Sequence, residues 1–194
     1  MEVSQMVVQA LWDSSSNLMQ LPNFTNDLAK KCTDAGIENV FDLMDMEDDD
    51  RIKLLEMPQS KLGQIAAVCN RFPNINLEYE VVDADSISAG EQVVVTIRLE
   101  RDQDSEVGKV HAPYYPKEKD EAWWVLVGDP SASFLHAIKR IPPFQRKANV
   151  KLDFTAPETP GTSKLTLFLM CDAWSGCDQE YEFDMDVKEA MEED

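Results

Sequence analysis

Up to Pro73 the apolar residues recur at helical spacing, and beyond it they alternate with polar ones along short segments. Val3, Met6, Val7, Ala10 and Leu11 share one face of a helix expected from Glu2 to Trp12, which starts with so little lead-in that it reads as a cut from something longer. After the Ser14–Asn17 breaker, Thr25 is placed to cap a helix over Asn26–Ala35, with Gly36 as its left-handed stop. Ile37, Val40, Phe41, Leu43 and Met44 mark a further short helix. Asp48, Asp49 and Asp50 suit the positive end of the next helix dipole, ahead of Ile52, Leu54 and Leu55 as buried residues. Pro58 suits the first turn of a last helix, with Leu62, Ile65, Ala66 and Cys69 inward and its end at Phe72-Pro73.

Seven strands are expected downstream, at 77–83, 93–101, 123–128, 134–141, 150–155, 165–172 and 180–187. Tyr181, Phe183, Met185 and Val187 alternate with Glu180, Glu182, Asp184 and Asp186, the pattern of a sheet with one wet face. The fold class predicted is α+β: a small all-α helix-loop-helix domain, helix-hairpin-helix-like, followed by a seven-stranded immunoglobulin-like or fibronectin-III-like β-sandwich. The corresponding division is 1–17 as the end of a helical bundle, 18–75 as the helix-loop-helix domain, 76–190 as the sandwich and 191–194 as an acidic tail. The long connection from Asp102 to Glu121 carries Pro113-Tyr114-Tyr115-Pro116, and loops of that length usually have a task or are mobile.

Charge narrows the partners. With 37 acidic and 18 basic side chains, the net charge of -19 repels phosphate backbones and anionic lipid surfaces, so general nucleic-acid binding is not expected. One basic island breaks the acidity: no acidic residue lies between Asp129 and Asp153, where Lys139, Arg140, Arg146, Lys147 and Lys151 all fall.

Chemistry is sparse. There is no phosphate-binding glycine loop, no dinucleotide fingerprint and no metalloprotease helix motif. Cys32, Cys69, Cys171 and Cys177 lack paired zinc spacing and are expected as reduced thiols. His136 falls in a strand and His111 in the long loop without recognisable partners. No catalytic residue, cofactor or metal site is assigned. The N-terminus lacks the features of a signal peptide and no apolar run could span a bilayer, so a soluble intracellular protein without membrane or small-molecule partners is expected.

Two longer motifs are specific enough to carry a resemblance. Leu18-x-x-Leu21-Pro22-Asn23-Phe24-Thr25 followed by Ala29 resembles a helix-hairpin-helix element, with Asn23 and Thr25 where that hairpin has glycines; their absence favours a packing hairpin over a phosphate-binding one. The run from Ala112 through Pro113-Tyr114-Tyr115-Pro116 and Trp123-Trp124 to Asp129 is similar to the C-terminal Sec-sixty-three homology unit of spliceosomal RNA helicases of the U-five small nuclear ribonucleoprotein. So are Cys171-Asp172-Ala173-Trp174-Ser175-Gly176-Cys177-Asp178-Gln179-Glu180-Tyr181 and the ending Asp184 to Ala190.

The resemblance implies a parent that unwinds paired U-four and U-six small nuclear RNAs in pre-mRNA splicing. This chain would be a non-catalytic, nuclear, protein-interaction and scaffolding piece of it, lacking the ATP-dependent motors. Its implied partners are other spliceosomal proteins and the rest of the parent helicase, with RNA binding weak or absent. Two other readings stay open: an RNA-contacting accessory domain beside the motor, and the related unit of the endoplasmic reticulum translocation protein.

Trp123 and Trp124 must point to opposite faces of a regular strand, so one is core and the other contact surface. Candidate protein-interaction residues are Tyr114, Tyr115 and Trp124. Candidates for an RNA or acidic-partner contact are Lys139, Arg140, Arg146, Lys147 and Lys151. Trp174 is expected to pack rather than to bind.

Overall fold

Apolar faces and capping residues set the helical elements. In the computed structural model, which describes residues 1–84, 86–102 and 106–189, five α-helices precede seven strands: α1 Glu2–Gln9, α2 Asn26–Asp34, α3 Val40–Asp45, α4 Asp48–Leu55 and α5 Gln59–Cys69. A short 3-10 helix, Asn17–Gln20, lies between α1 and α2. Thr25 Oγ1 accepts the Leu28 N–H at 3.3 Å, and Gly36 at φ 84° ends α2 while the Ile37 N–H returns to Cys32 O at 2.9 Å. Asn39 and Asp42 form a reciprocal capping box at the start of α3. Arg51 then ties off the end of α3 by donating to the carbonyls of Leu43, at 3.0 Å, and Met44, at 3.2 Å. Asp48, Asp49 and Asp50 occupy the first turn of α4, as their charge favours.

The strands are β1 Ile75–Val81, β2 Gln92–Arg101, β3 Trp123–Asp129, β4 Phe134–Ile141, β5 Lys147–Thr155, β6 Gly161–Cys171 and β7 Gln179–Val187. They form two antiparallel, sandwich-like sheets of order β1-β2-β5 and β4-β3-β6-β7. Val93, Val95, Ile97 and Leu99 of β2 are buried together with Val150, Leu152 and Phe154 of β5; Val125, Val127, Leu165, Leu167 and Leu169 are buried from the other sheet. Period-two alternation thereby fixes which face is wet. Tyr79 bridges the sheets, its ring 5.8 Å from those of both Tyr181 and Phe183.

The chain divides into two compact units: Met1–Asn74, Gln103–Glu121 and Cys171–Cys177 form one, and Ile75–Asp102, Ala122–Met170 and Asp178–Asp194 the other. In the first, Trp174 is 2% exposed and meets Phe72 edge-to-face at 5.4 Å, while Phe72 meets Phe41 at 5.2 Å. Gln20 holds Ser175 reciprocally, donating to its carbonyl at 2.8 Å and accepting its N–H at 3.1 Å. The expected acidic tail, 191–194, and Ala190 lie outside the described residues, as do 103–105 of the long connection.

Three helical expectations change. Helix α1 stops at Gln9, with Ala10 left-handed at φ 53°. Its apolar residues Val3 and Val7 are exposed, and the buried side carries Val8 with Gln5 and Gln9, whose amides donate at 2.8 Å to the carbonyls of Cys171 and Ala173. Those carbonyls need donors that Val or Leu could not supply. In α4 only Leu55 is fully buried; Ile52 is exposed and, with Leu62 and Ala66 of α5, lines an open groove of about 310 Å³.

Candidate functional site

The hairpin joining β3 to β4 is built by small and short polar residues. A Cβ on Gly128 would lie 3.0 Å from Phe134 O, and Asp129 Oδ1 accepts from Ser131 N (2.8 Å), Ser131 Oγ (2.6 Å) and Ala132 N (3.0 Å). These bonds, the Ser131 hydroxyl first, hold the Asp129 carboxyl below its ordinary pKa. The hairpin fixes a register in which Trp124 lies opposite Arg140 and Leu126 opposite Ile138. Trp123 is fully buried; Trp124 and Leu126 are half-buried on the other face of β3, so Trp124, Leu126, Ile138 and Arg140 share one exposed cross-strand surface.

The basic island gathers on β4 and β5. Lys139 and Arg140 stand on β4, Lys147 and Lys151 on β5, and Arg146 immediately before β5; all five are exposed. Lys139 Nζ donates to Lys151 O at 3.2 Å, and Lys147 pairs with Glu100 at 3.0 Å. Arg101, 3% exposed, fastens the segment between the two strands: its Nε donates to Phe144 O at 3.0 Å, its backbone N–H to Arg146 O at 2.9 Å, and its guanidinium lies 4.7 Å from the Phe144 ring centre. His136 packs between Phe134, at 4.9 Å, and Phe154, at 5.1 Å; burial pushes its pKa down, opposed by Asp129.

Tyr114 and Tyr115 belong to the other unit. Tyr115 N–H donates to Ala112 O at 3.1 Å to close a turn, leaving Tyr114 82% exposed at its tip. The flanking chain is anchored by Val110 N–H to Lys119 O (2.9 Å), by Lys109 Nζ to both Asp120 oxygens (2.8 Å each) and by Lys119 Nζ to Asp172 Oδ2 (2.6 Å). Tyr115 lines a shallow cleft with Arg71, His111 and Lys117; burial first, and then Arg71, lowers the His111 pKa.

All four cysteines are buried and outside any disulfide, and burial pushes the Cys69 thiol up to about 11. Among the described residues no three His, Cys, Asp or Glu side chains gather as a metal centre. None of the described helices is long and apolar enough to cross a membrane. Arg101 and Gln20 are the working residues that sequence reasoning passed over. Neither carries a pattern, because each acts by satisfying carbonyls brought close only by the fold.

Known proteins bear on the whole chain. It is 52% identical over 190 residues to the U5 small nuclear ribonucleoprotein 200 kDa helicase of Homo sapiens, with 98% of this chain and 9% of that protein covered. It is also 52% identical over 193 residues to the DExH-box ATP-dependent RNA helicase DExH12 of Arabidopsis thaliana, covering 97% of this chain and 9% of that protein. Against pre-mRNA-splicing factor brr2 of Schizosaccharomyces pombe it is 37% identical over 195 residues, covering 99% and 9%. The chain thus spans about a tenth of the length of these relatives. A family model described as the Sec63 Brl domain matches residues 1–184, and with identity of this order along its whole length the chain belongs to that family.

Proposed function

We propose that this chain is a non-catalytic protein-interaction and scaffolding module of a spliceosomal RNA helicase, placed at its C-terminus and working in the nucleus. The parent's task is unwinding of the U-four/U-six duplex. The observation that carries the reading is identity of 52% to a U5 small nuclear ribonucleoprotein helicase across 98% of the chain. That likeness favours the splicing helicase over the translocation protein. Strand orders β1-β2-β5 and β4-β3-β6-β7 support an immunoglobulin-like or fibronectin-III-like sandwich over 76–190. A helix-hairpin-helix reading of 18–75 is supported by Asn23, which takes φ 64° where that hairpin has a glycine.

The surfaces offered to other splicing proteins are the Tyr114 tip with Tyr115, and Trp124 on the outer face of β3. Both combine exposed aromatic area with fixed backbone, the combination favoured at interface hot spots. A second reading, contact with RNA near the motor, is favoured by the exposed cations at Lys139, Arg140, Arg146, Lys147 and Lys151. The net charge of -19 weighs against it. Titrating labelled single-stranded RNA at two salt concentrations separates the two, since phosphate contacts weaken steeply as salt rises. The protein-binding reading expects little binding at either concentration and no nucleotide hydrolysis above background. Tight, salt-sensitive RNA binding or hydrolysis by the purified chain would overturn it.

A further inference from the structure

Strand β4 ends its sheet, so the backbone N–H and C=O groups of alternate residues point away from β3. This edge is apolar: Phe134, Leu135 and Ile138 are 59%, 50% and 47% exposed. Lysines commonly guard such edges, but Lys139 reaches across to the Lys151 carbonyl of β5. The stack of Phe134, His136 and Phe154 ties the strand to the other sheet and holds the edge in place. Along it, the head groups of Lys139, Arg140 and Lys151 have no ion pair among the described residues.

We propose that β4 is a strand-addition edge that accepts an extended acidic segment of another protein, its alternate apolar side chains meeting Ile138 and Leu135 on one face and its carboxylates meeting Lys139 and Lys151 on the other. This rests on the protein-binding reading above and names the chemistry of the partner. Charge complementarity selects the occupant. A second copy is disfavoured, because two β4 strands each carry cations and no carboxylate, and two chains of net charge -19 repel. RNA would engage the cations but has no peptide backbone to complete the sheet.

The test uses the full chain and a synthetic peptide of about ten residues alternating Val with Glu, a matched peptide with Lys in place of Glu, and a single-stranded RNA. The readout is amide hydrogen exchange over 134–141. The Glu peptide is expected to slow exchange at alternate β4 amides and the Lys peptide to leave them unchanged. A Lys139→Glu/Lys151→Glu variant with an unchanged thermal melt should lose at least about tenfold in affinity for the Glu peptide. Equal binding of both peptides, protection elsewhere but not on β4, or β4 protection by RNA and not by the Glu peptide would overturn the proposal. If the peptide fails while the chain still retains splicing proteins independently of RNA, strand addition is wrong and the protein-binding reading stands. If no protein is retained, that reading falls as well.

Discussion

Gly176 sits at φ 82°, and a Cβ placed on it would lie 2.8 Å from Asn17 Nδ2, whose own side-chain oxygen accepts the Ser175 hydroxyl at 2.6 Å. Gly176→Ala should therefore lower stability by about 1–3 kcal/mol, through left-handed strain and a forced shift of Asn17. Gly63, inside α5 with open space around the Cβ position, sets the opposite expectation: Gly63→Ala should stabilise by about 0.5–1 kcal/mol. Urea unfolding of both variants checks the pair, and equal effects would refute the backbone argument. The two histidines add a pH dependence. Burial holds His111 and His136 below their ordinary value, so as pH falls the unfolded chain binds protons first and stability declines from about pH 7 downward. It levels off below the folded pKa values. NMR titration should find both imidazoles titrating below 6.5, and a His111→Gln/His136→Gln variant should flatten this part of the profile. His136 was legible only as a strand residue, because its place between Phe134 and Phe154 depends on how β4 of one sheet faces β5 of the other.

At the scale of elements, the margin formed by β4 and β5 divides between what sequence could and could not foretell. Alternation in Val93–Leu99 and Val150–Phe154 announced their strands and faces, since period two has one solution once a core exists. The cations were legible as a run; their gathering beside an exposed apolar edge was not, for it depends on sheet order. Lys139→Glu/Arg140→Glu/Lys147→Glu should keep a cooperative melt within about 0.5 kcal/mol per site of the parent, because all three side chains are exposed and, among the described residues, only Lys147 forms an ion pair, itself exposed. Loss of cooperativity by calorimetry would make the margin structural. Helix α1 shows the opposite limit of legibility. Its hydrophobic stripe predicted a helix, yet the buried face carries Gln5 and Gln9 beside Val8, the glutamines matched to carbonyls at 171–173 that lie far along the chain.

At the scale of the molecule, the units are assembled from segments that leave and return. Gln103–Glu121 and Cys171–Cys177 join the helical residues although both are flanked in sequence by strand residues. No local pattern encodes that return. It is secured by partners such as Lys119 with Asp172, at 2.6 Å and largely shielded, and Gln20 with Ser175. Asp172→Asn should destabilise this unit by roughly 1–3 kcal/mol, read as an earlier thermal transition, and an unchanged transition would show the ion pair to be dispensable. The function proposed at this scale is adhesion, through exposed aromatic and cationic surfaces, in a chain of the Sec63 Brl family similar to splicing helicases. The most direct test is affinity capture from nuclear extract with the full chain as bait after complete nuclease digestion. Recovery of splicing proteins in stoichiometric amounts, undiminished by loss of RNA, is the predicted result; recovery that vanishes with the RNA, or none at all, would contradict it.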